Sequence, residues 1–150
     1  VVARLNQRLV QSVETGNFMS LLLVVIDPKQ RTMQYVNAGH PELVRVGRKG
    51  VEQYPKTGMV LGVVGGQDYQ VSEPVALEAG DVLFLFTDGV DEAKAPDRET
   101  FGEERLRSVL AATHGLAAEK VLASVEAAVR AHAGGRALED DLTMIAVSVR

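Results

Sequence analysis

The sequence predicts an α+β fold: an antiparallel β-sandwich flanked by helices. Two observations predict it. Short apolar runs separated by turn residues follow one another as far as Phe86, and two stretches with helical spacing come afterwards, near Phe101–Ala112 and Ala117–His132. Strands and helices are thus grouped along the chain rather than alternated, which disfavours a parallel doubly wound sheet.

The elements follow in order. Leu5, Leu9, Val10 and Val13 recur at helical spacing between polar residues, so an amphipathic helix is expected to end near Gly16, a C-terminal cap. Phe18–Ile26 is almost wholly apolar and reads as a strand buried on both faces. Asp27-Pro28-Lys29-Gln30 turns it into a second strand, Thr32–Val36. Leu43–Val46 and Val51–Tyr54 form a further hairpin around Gly47-Arg48-Lys49-Gly50. Residues 56–68 carry four glycines and are expected to be loop. Tyr69–Leu77 alternates and is expected to pair with the run Val82–Phe86 through Glu78-Ala79-Gly80. Gly134-Gly135 breaks the last helix, and Leu142–Val149 closes the chain as a strand beside the core.

The 150 residues suffice for one domain with a real core, and 1–150 is read as a single domain. Lys and Arg number 16 against 20 Asp and Glu, and a net charge of −4 without a basic cluster argues against nucleic-acid binding. Zero cysteines exclude disulfides, thiolate zinc sites and cysteine nucleophiles, and are compatible with a cytoplasmic setting. No apolar stretch approaches the ~20 residues that span a bilayer. The opening Val1-Val2-Ala3-Arg4-Leu5 lacks an initiator methionine and starts in an expected helix, which suggests a piece of a longer protein.

Chemistry points to the ends of two strands. Val82–Phe86, bounded by Gly80-Asp81 and Asp88-Gly89, reads as a strand buried on both faces. Asp88 emerges where that strand ends, and Gly89 lets the backbone turn sharply beside it. Glu139-Asp140-Asp141 stands before the last strand. If the two strands are antiparallel neighbours, the end of one lies beside the start of the other, and Asp88 meets Asp140 or Asp141. Carboxylates that close repel unless a cation neutralises them, and all-oxygen ligation suits Mg²⁺ or Mn²⁺. The plainer alternatives stay open: Asp-Gly is an ordinary turn, and Asp140-Asp141 could simply cap a loop. Asp91 is expected at the surface, Asp81 in the hairpin before the central strand, and His114 and His132 at helix ends.

Five segments carry a resemblance: Thr87-Asp88-Gly89-Val90-Asp91-Glu92-Ala93, Asn37-Ala38-Gly39-His40-Pro41, Leu61-Gly62, Phe101-Gly102 and Asp140-Asp141-Leu142-Thr143. Taken in their order along the chain, they resemble the C-terminal two thirds of a metal-dependent protein serine/threonine phosphatase (PPM type), of the SpoIIE-like bacterial branch that regulates sigma factors. The resemblance implies two antiparallel sheets flanked by helices and a binuclear Mn²⁺ or Mg²⁺ site, where a metal-bridging water attacks phosphoserine or phosphothreonine. Asp88 and Asp140 match family metal ligands. His40 and Glu92 match positions lining the same cavity, and Gly89, Asp141 and Asn37 are further candidates for auxiliary cation contact or cavity lining.

The family's first motif, Gly-Asp-Val-x-Gly-His-Gly, does not occur in these residues. The chain is therefore expected to lack the first strands and helix of the family fold, to hold about half a metal site and to be weakly active or inactive alone. An open sheet edge left by absent strands would favour a homodimer or aggregation. The implied partners are a phosphorylated anti-sigma-factor antagonist or similar regulatory protein, and an upstream sensory or response-regulator domain. The alternative function is a pseudophosphatase: the same fold binding a regulatory partner without hydrolysis.

Overall fold

The computed structural model describes residues 1–12 and 17–150. Ten elements are present: α1 (Val2–Ser12), β1 (Leu21–Asp27), β2 (Thr32–Ala38), β3 (Leu43–Gly47), β4 (Gly50–Tyr54), β5 (Val75–Ala76), β6 (Val82–Phe86), α2 (Gly102–Ala111), α3 (Ala118–His132) and β7 (Met144–Ser148). They divide into two compact units, one of residues 1–42 and 54–77, the other of residues 43–53 and 78–150. The pairings β1–β2, β2–β5, β3–β6 and β6–β7 are antiparallel, and the α+β class expected from the sequence is the one observed. The expected cap at Gly16 and the inward-facing Val13 lie outside the described residues.

The first unit holds a three-stranded sheet in the order β1-β2-β5. Asp27 shapes the β1–β2 turn, its Oδ1 accepting the amides of Lys29 at 2.8 Å and Gln30 at 3.0 Å. The strand expected to be buried on both faces is instead an edge: among the described strands β1 pairs only with β2, and Leu23, Val25 and Ile26 are exposed. The strand between, β2, is the buried one, with Met33, Tyr35, Val36, Asn37 and Ala38 all inside. A run of apolar residues cannot distinguish a central strand from an edge strand whose outer face is left open.

The expected strand Tyr69–Leu77 shrinks to β5, which pairs with β2 rather than β6. The reason is that both sides of β6 are taken, by β3 and by β7. Residues before β5 hang on β2 through a side chain, Ser72 Oγ accepting the Tyr35 amide at 3.0 Å while the Ser72 amide donates to the Tyr35 carbonyl at 2.9 Å. Asn6 of α1 is also buried. Its Nδ2 donates to the Val64 carbonyl and its Oδ1 accepts the Gly62 amide, both at 2.8 Å, so a polar residue on the apolar side of α1 anchors the glycine-rich loop.

The second unit holds the sheet β4-β3-β6-β7 with α2 and α3 on one face. Val44, Val46, Val82, Phe84 and Phe86 pack against Leu106, Leu110, Val121, Val125 and Val129. Burial of one such side chain is worth roughly 1.5–3 kcal/mol. Glu103 and Glu104 open α2, and Arg130 and His132 close α3, each sign matching the helix dipole. Gly134, with φ +60°, follows α3 in the left-handed conformation that favours glycine.

Asp81, expected only to belong to a hairpin, is a buried anchor at 3% exposure. Its Oδ2 accepts the Glu78 amide at 2.9 Å and lies 3.6 Å from Arg45 Nη1, while Arg45 Nη2 binds Glu52 at 2.7 Å. Gly47 leaves room for this carboxylate, since a Cβ there would meet Asp81 Oδ1 at 2.5 Å. Asp81→Ala strands the Glu78 amide and removes a carboxylate beside Arg45, so we expect a loss of about 2 kcal/mol, read by urea denaturation of the intact protein at pH 7.

Candidate functional site

The candidate site is assembled by the β6–β7 pairing. Val82 lies opposite Ser148 and Phe86 opposite Met144, so the end of β6 meets the start of β7. The ladder runs one step further, where the Thr87 amide donates to the Thr143 carbonyl at 3.0 Å and the Thr143 amide to Thr87 Oγ1 at 3.4 Å. The chain then turns at once: Val90 donates to the Thr87 carbonyl at 3.0 Å and Glu92 to that of Asp88 at 2.9 Å. Gly89 is buried in this turn. A Cβ on it would collide with the Asp141 carbonyl oxygen and stand 3.5 Å from the Asp140 Cβ. Any side chain at position 89 would thus force the Asp88 turn and the Asp140-Asp141 segment apart.

Asp88, Asp140 and Asp141 are exposed at this rim. One Asp140 oxygen accepts the Asp141 amide at 2.7 Å, which orients the carboxylate. Glu92, Gly89 and Asp140 line a cavity of about 180 Å³ together with Ala93, Lys94, Leu138 and Glu139. Lys94 Nζ and Glu139 Oε2 are 2.5 Å apart, and this bond with the Lys94 charge lowers the Glu139 carboxyl below its ordinary range.

Asp91 corrects an expectation. Placed at the surface by sequence reasoning, it is half-buried, and its Oδ1 is enclosed without a hydrogen-bond partner. Burial, followed by the charges of Glu92, Glu103 and Asp88, pushes its carboxyl above the usual range, against a backbone hydrogen bond that lowers it. An orphaned carboxylate oxygen among like charges is an environment that a cation or a proton would relieve. Apolar Val90 and Ala93 on either side supplied the signal for this burial, since they pull the whole turn inward.

The remaining candidates, Asn37 and His40, belong to the first unit. Asn37 is fully buried and its side chain builds the 37–41 turn, Oδ1 accepting the His40 amide at 2.9 Å and Nδ2 donating to the Pro41 carbonyl at 3.2 Å. The His40 ring is half-buried, with Nδ1 3.3 Å from the Pro41 carbonyl. His132 closes α3 as expected, its Nε2 3.0 Å from the Glu99 carbonyl and its ring edge-on to Phe101. Among the described residues, no group of three or more His, Asp or Glu side chains is arranged to hold a metal ion. The acidic side chains at the ends of β6 and β7 offer oxygen donors, the kind a hard divalent cation takes.

Known proteins match this arrangement. A family model described as Stage II sporulation protein E (SpoIIE) matches residues 1–150. Protein IcfG of Synechocystis sp. (strain ATCC 27184 / PCC 6803 / Kazusa) is 31% identical over 131 residues, 87% of this chain and 20% of that protein. Phosphoserine phosphatase RsbU of Bacillus subtilis (strain 168) is 28% identical over 117 residues, 72% of this chain and 35% of that protein. The chain therefore spans about a fifth and about a third of the two curated relatives. Among solved structures, the SiaA-PP2C domain of Pseudomonas aeruginosa superposes with a TM-score of 0.81 at 20% identity, covering 95% of this chain and 57% of that one. That likeness shows the fold.

Gly89 carries the closest approach in the site. Gly89→Ala is expected to cost about 1–3 kcal/mol by forcing the two strand ends apart, which thermal denaturation of the intact protein would register. An unchanged melting temperature would mean that the turn and the Asp140-Asp141 segment are not in contact.

Proposed function

This chain belongs to the Stage II sporulation protein E (SpoIIE) family, and on that footing we propose that it is part of a metal-dependent protein serine/threonine phosphatase. The single observation that carries the reading is the packing of Gly89 on Asp140 and Asp141, which sets the Asp88 turn beside a second pair of carboxylates.

In this reading Asp88 and Asp140 hold Mn²⁺ or Mg²⁺. Gly89 keeps the two segments in contact, and Asp141 and Glu92 serve as auxiliary or lining residues. When bound, such cations lower the pKa of a coordinated water and offset the charge of a transferring phosphoryl group. The protein's own part is to fix the carboxylates before the cation arrives. The β6–β7 ladder does so through the backbone, so no side-chain entropy is spent on bringing the two segments together. Asp141 donates its amide to Asp140 and so limits the rotation of that ligand. The orphaned oxygen of Asp91 adds negative potential behind Asp88.

The family's Gly-Asp-Val-x-Gly-His-Gly motif is not among the 150 residues, so in this reading these residues alone are inactive or weakly active. Its substrate in this reading is a phosphoserine or phosphothreonine on a regulatory protein of the anti-sigma-factor-antagonist type, in the cytoplasm. No helix among the described residues is long and apolar enough to cross a membrane. The alternative reading is a pseudophosphatase that grips a regulatory partner without hydrolysis.

The intact protein with added Mn²⁺ is expected to release phosphate from a phosphoserine peptide. Asp88→Asn or Asp140→Asn should lower kcat by about 10²-fold or more, the scale of losing one transition-state charge contact, while circular dichroism stays unchanged. Full activity in both variants would remove the two aspartates from the mechanism. No release by the unmodified protein at any Mn²⁺ or Mg²⁺ concentration would favour the binding module.

A further inference from the structure

The cavity beside Asp140 contains a cation that the reading above leaves unused. Lys94 is the sole basic residue lining the space of about 180 Å³ among the described residues, and it shares that space with Gly89, Glu92 and Asp140. A water occupies ~30 Å³ in the liquid, so there is room for a small tetrahedral anion with several waters.

Lys94 is mounted firmly. Residues 93–101 form a closed loop: the Phe101 amide donates to the Ala93 carbonyl at 2.7 Å and the Ala95 amide to that of Glu99 at 2.8 Å, with Lys94 and Thr100 bridged antiparallel between them. At its tip Arg98 adopts φ +72°, held by its amide bond to the Ala95 carbonyl at 2.8 Å. One rigid loop therefore presents two cations. Both meet the same carboxylate, Glu139, whose Oε2 is 2.5 Å from Lys94 Nζ and whose Oε1 is 3.9 Å from Arg98 Nη1.

Glu139 is an oxyanion already seated between these cations, and it is 61% exposed. An ion pair so open to solvent is worth at most about 1 kcal/mol. A phosphate monoester carries nearly two charges and three acceptor oxygens, so it outbids a carboxylate for the same donors. Glu139 also adjoins Asp140 in the chain, and its displacement separates two like charges.

We propose that Lys94, seconded by Arg98, grips the phosphoryl group of the incoming phosphorylated side chain, and that Glu139 occupies that place until substrate arrives. This rests on the phosphatase reading for the identity of the substrate, and on the cavity and the ion pairs for the identity of the residues. Lys94 binds the phosphoryl group and transfers no proton. Glu139 moves aside to solvent.

The test uses the intact protein with Mg²⁺ and two probes: p-nitrophenyl phosphate for turnover and inorganic phosphate, by calorimetry, for binding. Lys94→Met should raise KM and the phosphate Kd by about tenfold, the weight of one charge-assisted hydrogen bond, with kcat within about threefold. Lys94→Arg should restore both. Glu139→Gln should leave KM unchanged or lower it, which a merely structural ion pair would not do. Unchanged KM and Kd in Lys94→Met, or equal losses in Lys94→Met and Glu139→Gln, would overturn the assignment. An unmodified protein without turnover whose phosphate binding still depends on Lys94 would refute the phosphatase reading and leave Lys94 as the anion contact of a binding module.

Discussion

The site depends on one constraint: β6 and β7 are antiparallel neighbours in a register that puts Phe86 opposite Met144. Strand pairing has period two, and a slip of β7 by one residue against β6 would turn Ala146 away from α2 and α3. The hydrophobic core of the second unit therefore enforces the register, and the register enforces the meeting of the Asp88 turn with Asp140-Asp141. Phe84 and Ala146 belong to the same apolar cluster as Val121, Val125 and Val129. The acids are placed by residues that have no chemistry of their own.

The same logic explains why exposed carboxylates can be held in position. Asp88 and Asp140 are exposed, so burial does not fix their side chains. Their backbones are fixed instead, by the Thr87–Thr143 contacts and by Gly89 lying too close to Asp141 for any side chain. Asp91 takes the opposite course: its oxygen is enclosed and unpartnered, so repulsion from Glu92, Glu103 and Asp88 falls on it.

Periodicity made the helices legible: α2 and α3 lie within a residue or two of where the spacing of Leu106, Leu110, Val121 and Val125 puts them. The acidic residues were legible as strand ends, Asp88 after one short apolar run and Asp140-Asp141 before another, although Asp-Gly read alone is also an ordinary turn. What the sequence hid was pairing choice. Phe18–Ile26 and Val82–Phe86 look equally buried as strings of letters, yet one forms an edge and the other the middle of a sheet. Tyr69–Leu77 alternates like a strand, but its hydrogen bonds pass through Ser72 to Tyr35, a nonlocal choice no window can see. Buried polar anchors were hidden for the same reason, because Asn6 and Asp81 find partners far away in the chain or across a turn.

The central claim is that the β6–β7 rim is a cation site built on Asp88 and Asp140. Anomalous diffraction from crystals of the intact protein grown with Mn²⁺ tests it most directly. The account predicts a manganese peak about 2.0–2.3 Å from carboxylate oxygens of both residues. A peak bound elsewhere, or none at this rim at saturating Mn²⁺, would contradict it.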